Sequence, residues 1–307
     1  MNWLVLVGIA TILDSTRIFI DNYASDVYFK GRGAVSQKLF YGYAFIIISI
    51  ILFAVTGFSF DDKYLINYVL FITSGLLSSL AGIPYYRALE LDDSTNIGIF
   101  TQLAPVLYLV LGWIFLGEKF SPIQLISFAV IISAPLLIIA TTRKRSRKIK
   151  IRAVLNAFLY VLIAVISNLV FVKENVPELN FLSEIVFVFL GKGIGNLIII
   201  YIRPKWRRRF RTVMKESHGK VFRPLIANSL VGFTKDIVYR LGLIAAPAVA
   251  LASAASDSVE PIVIFFMGIV LTLIWPKFGR EKLNKKNVLV HLTATILVVI
   301  GVVLLQL

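Results

Sequence analysis

Cysteine is absent from the 307 residues, which removes disulfides, thiolate nucleophiles, iron–sulfur ligation and Cys-based zinc sites. Histidine is almost absent as well, and His218 and His291 are too few to make a metal site by themselves. The chain shows no glycine-rich phosphate loop and no nucleophile-and-base pattern, so neither enzyme chemistry nor a cofactor is expected. Charge is the third scarcity. Only 16% of the residues are charged while 58% are hydrophobic, and the mean hydropathy is +0.84, against roughly 25% charged in an average soluble domain. A water-soluble globule is excluded. The charge that exists is lopsided, 32 Lys and Arg against 17 Asp and Glu, with the basic residues in short blocks between long apolar runs. That pattern describes a polytopic membrane protein and not a nucleic-acid binder. Met1 to Ala10 are apolar with no basic n-region, so they read as the start of a retained helix.

A helix crosses about 30 Å of hydrocarbon in roughly 20 residues, since each residue rises about 1.5 Å. Ten segments meet that test: 3–22, 37–57, 64–89, 96–117, 122–142, 153–172, 180–203, 223–243, 247–275 and 287–307. Backbone polar groups inside a bilayer must bond internally, so these spans are helices. The expected fold is an all-α membrane protein with ten transmembrane helices. The segments after spans 1, 5, 7 and 9 hold 24 of the basic residues, and the opposite side holds 3, namely Lys63, Lys119 and Lys173. The positive-inside rule then places both termini on the outer face of the plasma (inner) membrane.

The two halves echo each other. Tyr86-Arg87 and Tyr239-Arg240 each close the third span of a half, Ala104-Pro105-Val106 matches Glu260-Pro261-Ile262, and Glu118-Lys119 matches Glu281-Lys282. Three echoes in one order indicate a repeat of about 150 residues. The domains are therefore expected at 1–142 and 153–307, joined by a basic cytoplasmic linker at 143–152. A unit with an odd number of crossings starts its second copy from the opposite face, so the two five-helix repeats are inverted, the arrangement of alternating-access transporters. The stretch Tyr86-Arg87-Ala88-Leu89, Asn96, Ala104-Pro105-Val106 and Leu116-Gly117-Glu118-Lys119-Phe120-Ser121 resembles the first EamA domain of the drug/metabolite transporter superfamily. Glu260-Pro261 and Glu281-Lys282-Leu283 are similar to the second. The resemblance implies a ten-helix carrier of small solutes with a central cavity. The sequence departs from that pattern in its insert 275–280 and in a charged first span.

Charged groups deep in a span cost about 2.5 to 3.5 kcal/mol each on insertion scales, so they should face a cavity or a partner. In span 1, Asp14, Arg17 and Asp21 share one face, with Arg17 able to pair either way. A self-neutralising stripe and a solute-facing role both fit. In span 9, Ser253, Asp257 and Glu260 form one polar stripe, and Asp257 lies ten residues in, about 15 Å deep. Lys192 in span 7 reaches a comparable depth, and Lys235 and Asp236 in span 8 are cavity candidates, with Asn228 a softer one. Six acids and five bases within the spans favour a zwitterionic or mixed polar solute, amino acids among them. A carboxylate at the depth of Asp257 is suited to carry a proton, so proton coupling is expected as one option and an uncoupled facilitator as the other.

Residues 203–223 carry nine basic residues, and Trp206, Phe210, Val213 and Met214 recur at helical spacing among them. That segment sets topology and offers a face to anionic headgroups of membrane lipids. The rival readings are a lipid or headgroup translocase (flippase) subunit, suggested by Gly191, Gly193 and Gly195 around Lys192, and a non-transport membrane scaffold.

Overall fold

The computed structural model describes residues 2–29, 34–57, 61–91, 104–142, 150–173, 181–274 and 285–304. Among them the regular structure is entirely helical. The α-helices are α1 (Trp3–Val27), α2 (Lys38–Thr56), α3 (Leu65–Leu80), α4 (Gly82–Leu91), α5 (Ala104–Leu116), α6 (Pro122–Thr142), α7 (Ile151–Lys173), α8 (Phe181–Ile202), α9 (Pro204–Glu216), α10 (Phe222–Ala245), α11 (Val249–Ile274) and α12 (Lys285–Leu304). Asn96, the insert 275–280 and the Glu281-Lys282-Leu283 echo fall outside the described residues, as does most of the basic linker.

Among the described residues, six helical stretches are long and apolar enough to cross a membrane: Trp3–Val27, Val35–Thr56, Asp62–Ala88, Ile151–Val172, Phe181–Ile202 and Val249–Leu271. Shorter apolar stretches cover Ala104–Leu116, Pro122–Ala134 and Leu292–Gly301. Helix α10 is long enough but is interrupted by Lys235, Asp236 and Arg240. Span 3 breaks into α3 and α4 at Ala81. The reason is Pro84, which has no N–H to give the carbonyl four residues back, at Leu80.

Helix α2 shows why the protein belongs in lipid. Its buried positions are Leu39, Gly42 and Ser49, while Ile47, Ile50, Ile51 and Val55 are exposed. An aqueous helix would hide the isoleucines; in a bilayer they face hydrocarbon, and small residues mediate helix contact. The chain is a multi-pass membrane protein.

By contacts the chain divides into two compact units, one of 1–19, 87–161 and 231–307 and the other of 20–86 and 162–230. Each takes helices from both sequence halves. In the first unit α5 packs on α11, and α6 packs on α12 and α11, around Ala134, Ile262, Ala294 and Val298. In the second, α2 and α3 pack on α8. Helix α8 is the most enclosed of the six candidate spans, with 61% of its apolar window buried against 35% or less for the others. It is apolar on all sides because protein surrounds it. In the same unit Ser74 Oγ donates to the Ser167 carbonyl and Ser167 Oγ donates to the Ser74 carbonyl, both at 2.7 Å, which ties α3 to α7.

Gly117 ends α5 in the left-handed region, at φ 67°, and turns the chain so that Glu118 lies against Gly112. From there Glu118 Oε1 accepts the Val249 N–H at 2.5 Å, capping the first turn of α11, where unsatisfied donors favour an acceptor with negative charge. Glu118 Oε2 is buried with no hydrogen-bond partner among the described residues. Burial pushes the Glu118 carboxyl above the usual glutamate range, against the lowering by the Val249 and Ala250 N–H groups. The folded state therefore holds this proton more tightly than the unfolded chain, and its contribution to stability falls as pH rises from the ordinary glutamate value through the raised one. Glu118→Gln is expected to flatten that decline while keeping the cap. Glu118→Ala is expected to lose about 1 kcal/mol near pH 4 and less as pH rises, and thermal melts between pH 4 and 8 read both variants.

Candidate functional site

Seven of the nine residues singled out in the sequence gather in the first unit. Asp14 sits on α1, Lys235 and Asp236 on α10, and Ser253, Asp257 and Glu260 on α11. Arg17, one turn along from Asp14, gives its Nε to Asp14 Oδ1 at 2.8 Å, which is one of the two pairings that its spacing allows. The second oxygen, Asp14 Oδ2, takes Lys235 Nζ at 3.0 Å, and Lys235 reaches Asp236 Oδ1 at 3.9 Å. A carboxylate shared by two cations, with a second carboxylate beside it, satisfies much of the charge that lipid would penalise. Gly232 leaves room for this: a Cβ there would stand 3.3 Å from Arg17 Cδ.

Lys235 also lies over the Tyr239 ring, 5.1 Å from its centroid, where the ring face attracts an ammonium. The two residues are one turn apart, which puts them on the same side of α10. Tyr239 Oη is 3.2 Å from Ser253 Oγ, and Ser253 is fully buried. Asp257 interacts electrostatically with Lys235 and Asp14, and Glu260 with Asp14, Asp257, Lys235 and Arg17. Tyr239 interacts with Tyr108 of α5 as well. Thr11 Oγ1 donates to the Val7 carbonyl at 2.9 Å, so the 3.0 Å bond between Thr11 and Ser256 is given by Ser256.

The arrangement is a chain of charges and hydroxyls running across α1, α10 and α11, in which Asp14, Asp236, Asp257 and Glu260 stand with Arg17 and Lys235. It can hold an ammonium through carboxylates and Tyr239, hold a carboxylate through Arg17 or Lys235, and pass a proton between neighbouring acids. Tyr239 is the member that sequence reasoning missed. Its signal was its place four residues after Lys235, on the face already chosen.

The other two candidates lie in the second unit. Lys192 is 8% exposed with its ammonium 5.5 Å from the Phe45 ring centroid, while its carbonyl accepts from Ser79 Oγ at 2.8 Å. Asn228 Nδ2 donates to Asp21 Oδ1 and, at 2.7 Å, to Tyr41 Oη, and Tyr41 donates to Asp21 at 2.6 Å. Asp21, Tyr41 and Asn228 thus share one hydrogen-bonded cluster in that unit. The three glycines around Lys192 are accounted for by packing. A Cβ on Gly193 would come 3.0 Å from the Gly42 carbonyl, one on Gly195 would come 2.7 Å from Ser79 Cβ, and one on Gly191 would strike the Ile72 carbonyl. Neighbouring helices fill the space that a lipid headgroup would need.

Residues 28–140 match the EamA-like transporter family. No curated protein matches the chain. A solved crystal structure, described only as that of a protein, is similar over 98% of this chain and 95% of its own, with a TM-score of 0.65 and 15% identity. At that identity the likeness speaks for the fold alone. The chain is thus a multi-pass membrane protein whose residues 28–140 are similar to the EamA-like transporter family.

Proposed function

We propose that the protein is a secondary carrier that moves a small polar solute across the plasma membrane by alternating access. Residues 1–142 and 153–307 would form the two inverted five-helix repeats, joined by 143–152. The packing supports this. Helices α2 and α8 stand for spans 2 and 7, α5 and α11 for spans 4 and 9, and α6 and α12 for spans 5 and 10, so each of these packed pairs unites equivalent members of the two repeats.

The observation that carries the reading is the convergence of Asp14, Arg17, Lys235, Asp236, Asp257 and Glu260 in one compact unit. A scaffold gains nothing from so many intramembrane charges, whereas a carrier needs them where solute binds. The carboxylates and the Tyr239 ring favour a solute with a protonated amine, and Arg17 offers a partner for an acidic group, which together suit an amino acid. Ligands found by thermal stabilisation of the purified protein supply the substrate for uptake into proteoliposomes. Asp257→Asn is expected to abolish the pH dependence of uptake and to lower its rate at least tenfold. Unchanged uptake with an unchanged pH profile removes Asp257 from the mechanism.

A further inference from the structure

We infer that the basic flank of α9 is a docking surface for anionic phospholipid headgroups, held by charge alone and not by insertion of the helix into the bilayer. A basic amphipathic helix beside a membrane span ordinarily sinks its apolar face into the lipid. Here that face is already taken. Trp206 and Phe210 pack with Val35, Leu39, Ile199 and Ile200, and Phe210, Val213 and Met214 pack with Phe29, Val221 and Leu225. Arg209 Nη2 donates to the Phe29 carbonyl at 3.2 Å, and Arg207 lies over the Tyr201 ring. The helix is fastened to the protein along its apolar side.

Lys205, Arg208, Arg211 and Lys215 remain exposed. None of them forms an ion pair or side-chain hydrogen bond among the described residues. At about 100° per residue they fall within about 120° of one another, on the flank opposite Trp206, Phe210 and Val213. Glu216 is the single acid of the helix. Helix α8, a candidate membrane span, ends at Ile202, two residues before α9 begins, so the stripe is tethered at a membrane surface. Phosphate-bearing headgroups are the anions in reach. Contact of this kind weakens with salt and is indifferent to acyl-chain packing.

The inference needs the membrane location only, so the test avoids transport. Dihexanoyl-phosphatidylglycerol, dihexanoyl-phosphatidylcholine and inorganic phosphate are titrated separately into the full chain in neutral detergent, and the melting temperature is followed. Phosphatidylglycerol should raise it, phosphatidylcholine should not, and about 0.5 M NaCl should erase the rise. K205Q/R208Q/R211Q/K215Q should weaken the apparent affinity for phosphatidylglycerol several hundredfold, at about fivefold per residue. If that variant does not fold, K205Q/K215Q should weaken it about 25-fold. Equal stabilisation by phosphatidylcholine, a salt-insensitive shift, or an undiminished response in the variant that folds overturns the inference. So does inorganic phosphate matching phosphatidylglycerol at equal concentration, which would assign the surface to free anions.

Discussion

Lys235→Ala is expected to destabilise the solubilised protein by about 3 kcal/mol, because it leaves Asp14 and Asp236 facing each other with one cation fewer in a poorly hydrated setting. Lys235 is held at 3.0 Å by Asp14 and by the Tyr239 ring, so truncation removes an ion pair and a ring contact in one step. Removing both charges should cost much less. Lys235→Gln with Asp14→Asn keeps the shape and some hydrogen bonding, and the double variant should recover at least half of the loss. Denaturation of the four members of that cycle in one detergent checks this. Additive losses would mean that the pair is not coupled. A lysine that only anchored its helix at the membrane surface would give additive losses too, so the cycle separates the two roles.

Gly191→Ala and Gly75→Ala are expected to be the most damaging conservative changes in the second unit, at about 3 kcal/mol each. A Cβ on Gly75 would run into the Val188 carbonyl and come 2.8 Å from the Lys192 nitrogen, and one on Gly191 would come 3.0 Å from Ile72 Cα besides striking the Ile72 carbonyl. The obstacles are main chain, which cannot swing aside as a side chain can, so α3 and α8 would have to separate. Gly8 is the control: it is also helical, and a Cβ there meets nothing within 4 Å. Gly8→Ala should gain about 0.5 to 1 kcal/mol from helix propensity. Similar behaviour of the three variants would refute the close-packing argument.

These two predictions mark the line between what composition tells and what only coordinates tell. Hydropathy along the chain is a local property, and helices stand near each expected span for that reason. The break at Ala81 was legible in principle from Gly82 and Pro84, but the apolar run through it outweighed them. Within the site, Asp14 with Arg17 is an i, i+3 pair that spacing alone reveals. The link from Asp14 to Lys235 joins residues 221 apart, and no periodicity reports it. The same limit applied to Asp21, whose position on the face of Asp14 and Arg17 suggested a shared role. It also bonds Tyr41 and Asn228, on helices whose proximity the sequence does not encode in any local signal. The apolar face of α9 was legible as well, but whether lipid or protein would cover it was not.

The reciprocal bonds between Ser74 and Ser167 act as a detent between two shafts. Each hydroxyl reaches the other's carbonyl only at one axial setting of α3 against α7, and a shift by a single residue would release both together. Inside a bilayer no solvent stands ready to replace them. Any working cycle of this protein is therefore expected to carry α3 and the adjoining half of α7 as a single rigid piece, leaving deformation to joints elsewhere in the chain.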